Sequence, residues 1–253
     1  MDGLLENEDY MNIGVIFAGG VGERMCSKDK PKQFLRVFNK PIIIHTIEVF
    51  QKNSDVDAIV IACHKDYLNL MIELKEQYKI TKVKKIVPGG ETGQLSIYAG
   101  LCAAREVSKG KKSIVLIHDG VRPMINSALL TDNISTVIKH GSCITGGIVK
   151  ETIVMIDDYN NVQLVPPKTH SRVAKAPQSF WLDDILSAHE KALENKEYNY
   201  VDSCTLMNHY GFRLHMIEGP NDNFKITTPD DFFTMRAIME ARENEQIYIP
   251  DRG

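Results

Sequence analysis

No apolar run in the 253-residue sequence approaches the roughly 18 residues that span a bilayer. The first ten residues are acidic and have neither the basic start nor the apolar stretch of a signal peptide, so a cytoplasmic protein is expected. Charge of one sign is also lacking. Lys and Arg total 30 against 33 Asp and Glu, a formal charge of -3, which leaves no basic surplus for a general nucleic-acid binder. The five cysteines (Cys26, Cys63, Cys102, Cys143 and Cys204) are odd in number and scattered, with no CxxC pair. That pattern points to reduced thiols rather than a disulfide or zinc framework. Two nucleotide signatures are missing as well. No GxxxxGK followed by Ser or Thr occurs, and the GxGxxG/A pattern fails because Met25 stands where the third glycine belongs.

What remains is a chain with 43% hydrophobic and 25% charged residues, enough apolar material for one α/β domain. Residues 1–11 read as a tail and 12–253 as a single domain. Short apolar runs at 12–18, 58–63, 84–87 and 113–117 alternate with segments of helical spacing, among them 41–51 and the Tyr67, Leu70, Met71, Leu74, Tyr78 series. This order predicts a mostly parallel sheet with helices on both faces, and ligands at the carboxyl ends of its strands. Residues 150–178 break the rhythm. Their β-rich pieces, the turn at 157–161 and Pro166-Pro167 predict an extended arm that docks on a second copy of the chain. Later segments read as helices over 183–193 and 202–210, a strand over 213–217 and a terminal helix from Asp230.

The chemistry-bearing residues fall just after the strands. Ala18-Gly19-Gly20-Val21-Gly22 can bring backbone N–H groups close to phosphates. Arg24 and Lys32 follow, two cations suited to the charge that builds on an α-phosphate under attack. Pro88-Gly89-Gly90-Glu91-Thr92, with Ser96, forms a second strand-to-helix turn. Asp119, inside HDGVRP, stands where a carboxylate can hold Mg2+ on nucleotide phosphates. Lys225 is expected on a short strand before the last helix, with Thr227 or Thr228 as N-cap and Pro229 at the first helical position.

Read in order, AGGVGERM, PKQFL, KPIIIHTIEVF, PGGETGQLSI, HDGVRP, VKETIV, APQSF, YVDSCTLMNHYG and NFKITTPDD resemble the family of 2-C-methyl-D-erythritol 4-phosphate and ribitol-5-phosphate cytidylyltransferases. The likeness runs from about residue 13 to about 240. It implies a Rossmann-like three-layer nucleotidyltransferase fold, with a mostly parallel mixed sheet and a protruding β-arm through which a homodimer forms. Arg24, Lys32 and Lys225 would stabilise charge on the phosphates of CTP, and Ala18, Gly19, Gly20 and Gly22 would cradle the triphosphate. Gly90, Glu91 and Ser96 would select cytosine, and Asp119 would bind Mg2+ on the nucleotide. Thr152, Lys168 and Arg122 would hold the acceptor, a polyol phosphate, with Thr152 and Lys168 supplied across the dimer.

Two positions depart from the family's pattern. Gly93 and Lys168 stand where arginines are usual, and a lysine keeps charge but loses a bidentate grip. Arg172 is close enough in sequence to Lys168 to substitute. Val121 in HDGVRP, PKQFL and KETIV look closer to the ribitol branch, so D-ribitol 5-phosphate is the expected acceptor and methylerythritol 4-phosphate the alternative. A catalytically dead relative would be expected to have lost Arg24, Lys32 or Asp119, all of which are present. A sugar-1-phosphate nucleotidyltransferase would be told apart by using UTP or dTTP.

Overall fold

The structure is a computed structural model that describes residues 10–19 and 31–243. Strand β1 (Met11–Ala18) lies at the centre of a seven-stranded sheet. On one side it pairs in parallel with β4 (Ala58–Cys63), and β4 with β5 (Val83–Pro88). On the other side it pairs in parallel with β6 (Ser113–Asp119). Two short strands, β2 (Arg36–Val37) and β3 (Lys40–Pro41), form a separate ribbon.

Side chains alternate along the inner strands with the period of two that a sheet imposes. Ile59, Ile61, Ile114 and Leu116 face one core, whereas Ala58, Val60, Val115 and Ile117 face the other. The first core is closed by α1 (Ile42–Lys52), α2 (Leu68–Gln77) and α4 (Ser127–His140). The second is closed by α3 (Gly93–Ser108), α5 (Leu182–Glu194) and α6 (Ser203–His209). Helix α1 turns Ile43, Ile44, Ile47 and Phe50 inward. All four are fully buried, and each such side chain contributes about 1.5–3 kcal/mol. The expected three-layer α/β fold is therefore found.

The far side of the sheet departs from the expectation. Strand β7 (Ser142–Ile148) is a sheet member that its Gly146-Gly147 pair concealed in the sequence. Strand β10 (Arg172–Trp181) runs antiparallel between β6 and β7. The arm expected over 150–178 is thus corrected at its C-terminal end, because residues 172–178 pair inside the main sheet. The segment that stands apart carries the hairpin of β8 (Met155–Ile156) and β9 (Val162–Leu164), turned at Asp157. Its side chains Met155, Ile156, Val162 and Leu164 are all exposed. Strand β11 (Met216–Glu218) completes the edge beside β7, somewhat later than the 213–217 expected.

Helix α7 (Pro229–Glu243) begins with a reciprocal cap: Asp231 N–H donates to the Thr228 hydroxyl, while Thr227 and Thr228 N–H groups donate to the Asp231 carboxylate. No described helix is long and apolar enough to cross a membrane.

Candidate active site

The carboxyl ends of β1, β4, β5 and β6 all open on one edge of the sheet. Ser96, on the first turn of α3, sits where two of them meet. A Cβ on Gly19 or on Gly89 would lie 2.8 Å from Ser96 Oγ, so only glycine lets both turns close on this hydroxyl. Ser96 in turn donates to Gly90 O at 3.1 Å. The turn is fixed by its surroundings: Thr92 caps α3 by accepting from Leu95 N–H and donates to Tyr198 O. Gln94 bonds Glu197 O and Tyr200 N–H. Gly90 and Glu91 are left exposed at the rim. Gln33, from the short turn Lys32–Phe34, donates from a buried position to Ala18 O at 3.0 Å and so ties PKQFL to the end of β1.

Beside this turn, Asp119 ends β6 with 6% of its surface exposed. Lys225 Nζ lies 2.7 Å from its Oδ1 and Arg122 Nε 2.7 Å from its Oδ2. Burial alone would push this carboxyl up, but the charges and hydrogen bonds of Lys225 and Arg122 outweigh it and hold the pKa at about 2. Lys225 also reaches over the Phe17 ring of β1. It lies in an extended segment rather than on the expected strand, anchored by Ile226 N–H donating to Val121 O at 3.0 Å. His118 is fully buried behind Asp119 with Nε2 3.0 Å from Arg122 O. Desolvation brings its pKa down to about 4, so the ring is neutral at pH 7.

Lys32 acts on Asp231, in the first turn of α7. Burial would raise the Asp231 carboxyl, but N–H groups of Thr228 and Thr227, the Thr228 hydroxyl and the Lys32 charge bring it below its ordinary value. Of the residues singled out in the sequence, the structure thus gathers Ala18, Gly19, Gly90, Ser96, Asp119, Arg122 and Lys225 around one edge, with Lys32 near the start of α7. Arg24, Gly20 and Gly22 lie outside the described residues. Thr152 and Lys168 are exposed on the projecting segment, where Lys168 Nζ donates to Lys150 O.

Glycine turns and cations thus share this edge of the sheet. The family model for 2-C-methyl-D-erythritol 4-phosphate cytidylyltransferase, IspD, matches residues 13–241. The chain belongs to the IspD family. It is accordingly a nucleotidyltransferase of the cytidylyl-transferring kind. A ribitol-5-phosphate cytidylyltransferase of Streptococcus agalactiae serotype III is 52% identical over 238 residues, 94% of this chain and 99% of that protein. A 2-C-methyl-D-erythritol 4-phosphate cytidylyltransferase of Clostridium botulinum strain 657 is 35% identical over 229 residues, 90% and 97% of the two chains. Among solved structures, 4-diphosphocytidyl-2C-methyl-D-erythritol synthase from Anaerococcus prevotii aligns with a TM-score of 0.79 at 26% identity, covering 91% of this chain and 96% of that one.

Within this IspD-family site, the two departures have different surroundings. Gly93 is exposed, and a Cβ there would meet nothing within 4 Å among the described residues. Arg172 is exposed, and its Nη1 donates to Thr169 O at 3.1 Å and to Ser171 O at 2.8 Å in its own strand entry. Sequence reasoning overlooked Gln33, Thr46 and Asn223. Thr46 donates from α1 to Gly120 O at 3.1 Å, and the Asn223 side chain donates to Ala176 O at 2.7 Å while the Asn223 backbone carbonyl accepts from Arg122. Neutral polar residues inside apolar or loop segments carry no periodic signal; only their burial identifies them.

Proposed function

We propose that the protein transfers the cytidylyl group of CTP to D-ribitol 5-phosphate, giving CDP-ribitol and pyrophosphate. The acceptor assignment rests on the much greater likeness to the streptococcal ribitol-5-phosphate enzyme than to the clostridial methylerythritol one. An acceptor phosphate oxygen attacks the α-phosphorus of CTP; the new P–O bond forms as the bond to the β-phosphate oxygen breaks, and pyrophosphate carries away the electron pair. Charge grows on the α-phosphate oxygens during this step. Arg24, Lys32 and Lys225 are the cations assigned to meet it. The segment Ala18–Gly22 is assigned to the triphosphate and Gly90, Glu91 and Ser96 to the cytosine.

The single observation that carries the catalytic reading is Asp119, a carboxylate kept ionised in a nearly buried setting by Lys225 and Arg122. One carboxylate suits Mg2+, which takes most of its ligands from phosphate and water. When bound, Mg2+ neutralises charge on the triphosphate. Lys225, with 42% of its side chain exposed, has room to turn from Asp119 towards a nucleotide. Arg122, less exposed, keeps the carboxylate oriented.

The exposed apolar hairpin is read as the contact of a homodimer, with Thr152 and Lys168 reaching the acceptor in the partner's site. Residues 12–253 are taken as one domain carrying this arm. The test is pyrophosphate release from Mg-CTP with ribitol 5-phosphate and, separately, with methylerythritol 4-phosphate. Turnover with ribitol 5-phosphate is expected; release with methylerythritol 4-phosphate alone would overturn the acceptor assignment.

A further inference from the structure

Lys175 is absent from the roles assigned above, yet its placement is unusual. Between the Ala174–Gly146 and Gln178–Ile144 pairs the β10–β7 ladder loses register, and Lys175 lies in that bulge. Bulges re-aim side chains, often beside active sites. Here the side chain lies across Gly147 of β7, where a Cβ would stand 2.5 Å from Lys175 Cε and 3.0 Å from Nζ. The half-buried ammonium donates only to carbonyl oxygens, those of Asn221 at 3.2 Å and Pro220 at 3.4 Å. Among the described residues no carboxylate forms an ion pair with it.

Its electrostatic neighbours explain why an anion is wanted there. Burial lowers the Lys175 pKa first; Arg122 lowers it further, Asp222 opposes this, and Lys150 adds to the lowering. Asp222 is already paired with Arg242, and Asp119 with Arg122 and Lys225. Among these neighbours the cations Arg122, Lys150, Lys175, Lys225 and Arg242 outnumber the two carboxylates. Asn223 joins the bulge to Arg122 by donating to Ala176 O at 2.7 Å while its backbone carbonyl accepts from Arg122 at 3.4 Å. A desolvated surplus of this kind is relieved by a bound anion.

We infer that Lys175, laid over Gly147 and flanked by Arg122, contacts the phosphate of the acceptor from within the same subunit. This deepens and rests on the proposed transfer to a polyol phosphate. It also accounts for how the site carries Lys168 where the family's arginine is usual: part of the anion's hold comes from the sheet rather than from the arm.

The test compares wild type with Lys175→Met, Lys175→Arg and Gly147→Ala. Gly147→Ala changes no charge but displaces the flexible end of Lys175. A lost charge-assisted contact is worth about 10- to 100-fold. Lys175→Met should raise KM for the acceptor by about that factor and leave KM for CTP within about twofold. Gly147→Ala should follow it in part, and Lys175→Arg should restore most of the loss. Equal effects on both KM values, or none on the acceptor, would overturn the inference and leave Lys175 as a strap for residues 220–221. A second arm needs no turnover: inorganic phosphate titrated calorimetrically into CTP-saturated protein should bind more weakly to Lys175→Met, and equal binding would again overturn it. Absence of turnover with every polyol phosphate would instead sink the proposed transfer, and the phosphate titration would still judge Lys175.

Discussion

Replacing Asp119 by Asn tests the electrostatic core of the site without changing its shape. The wild-type carboxyl has a pKa of about 2 against 3.8 for a free aspartate, and at about 1.36 kcal/mol per tenfold this amounts to about 2 kcal/mol of stability at pH 7. The folded value is depressed, so this stability is fully present above the unfolded pKa and disappears as pH falls through the folded one. Integrating between the two values leaves about half of it at pH 3 and little at pH 2. Removing the charge also strands Arg122, whose side chain is only 13% exposed, which adds a smaller cost that does not follow this titration. For a chain of this size about 2 kcal/mol corresponds to a fall in Tm of roughly 5–8 °C. Urea unfolding followed by circular dichroism at pH 7, 5 and 3 gives the wild-type-minus-variant difference directly. That difference should be flat from pH 7 to 5 and should shrink by roughly 1 kcal/mol at pH 3. A difference that is absent at pH 7, or that persists undiminished at pH 3, would refute the argument that Lys225 and Arg122 hold the carboxylate ionised.

Gly89→Ala places a Cβ 2.8 Å from Ser96 Oγ, so KM for CTP should rise about tenfold at a stability cost of about 1–2 kcal/mol; steady-state kinetics that show only the acceptor KM moving would contradict the assignment of this turn to the nucleotide. His189 is 1% exposed, neither ring nitrogen has a hydrogen-bond partner among the described residues, and burial lowers its pKa to about 4. The unfolded chain takes up this proton first as pH falls below 6.5, so His189→Leu should gain about 3 kcal/mol over wild type between pH 7 and pH 4, read from denaturant midpoints. Parallel midpoints for the two proteins would count against a neutral buried ring. Leu164→Asp puts a charge on the exposed hairpin and should convert a dimer to a monomer in sedimentation, with loss of turnover; an unchanged mass would remove the hairpin from the interface.

Much of the fold was legible because its parallel half is written in uninterrupted apolar runs. Ala58–Cys63 and Ser113–Ile117 can hardly be anything but strands buried on both faces. The mixed half was harder. Ser142–Ile148 hides its period behind two glycines, and Arg172–Trp181 reads as a continuation of the arm because its bulge at Lys175–Pro177 breaks the alternation. At the site, Asp119 and Lys225 could be named from their places after strands and Arg122 from the family resemblance, and the structure brings Arg122 and Lys225 within hydrogen-bonding distance of Asp119. Gln33, Thr46, Asn223 and Lys175 could not, since each acts through a backbone carbonyl or a neighbouring element distant in sequence. Partners of that kind exist only once the sheet has closed.

The insertion of one antiparallel strand between β6 and β7 divides the sheet into two provinces with a common border at β6. On the parallel side the glycine turns and α3 are locked to each other through Ser96, leaving little freedom for drift. On the mixed side the bulge and the 220–226 segment are joined by single side chains that donate to backbone carbonyls, Lys175 to Pro220 and Asn221, and Asn223 to Ala176. On the proposed reading, an ancestral chain could trade one polyol phosphate for another by altering β10 and its neighbours while leaving the glycine turns untouched. The strand that interrupts the parallel order is the place to look for the history of acceptor choice.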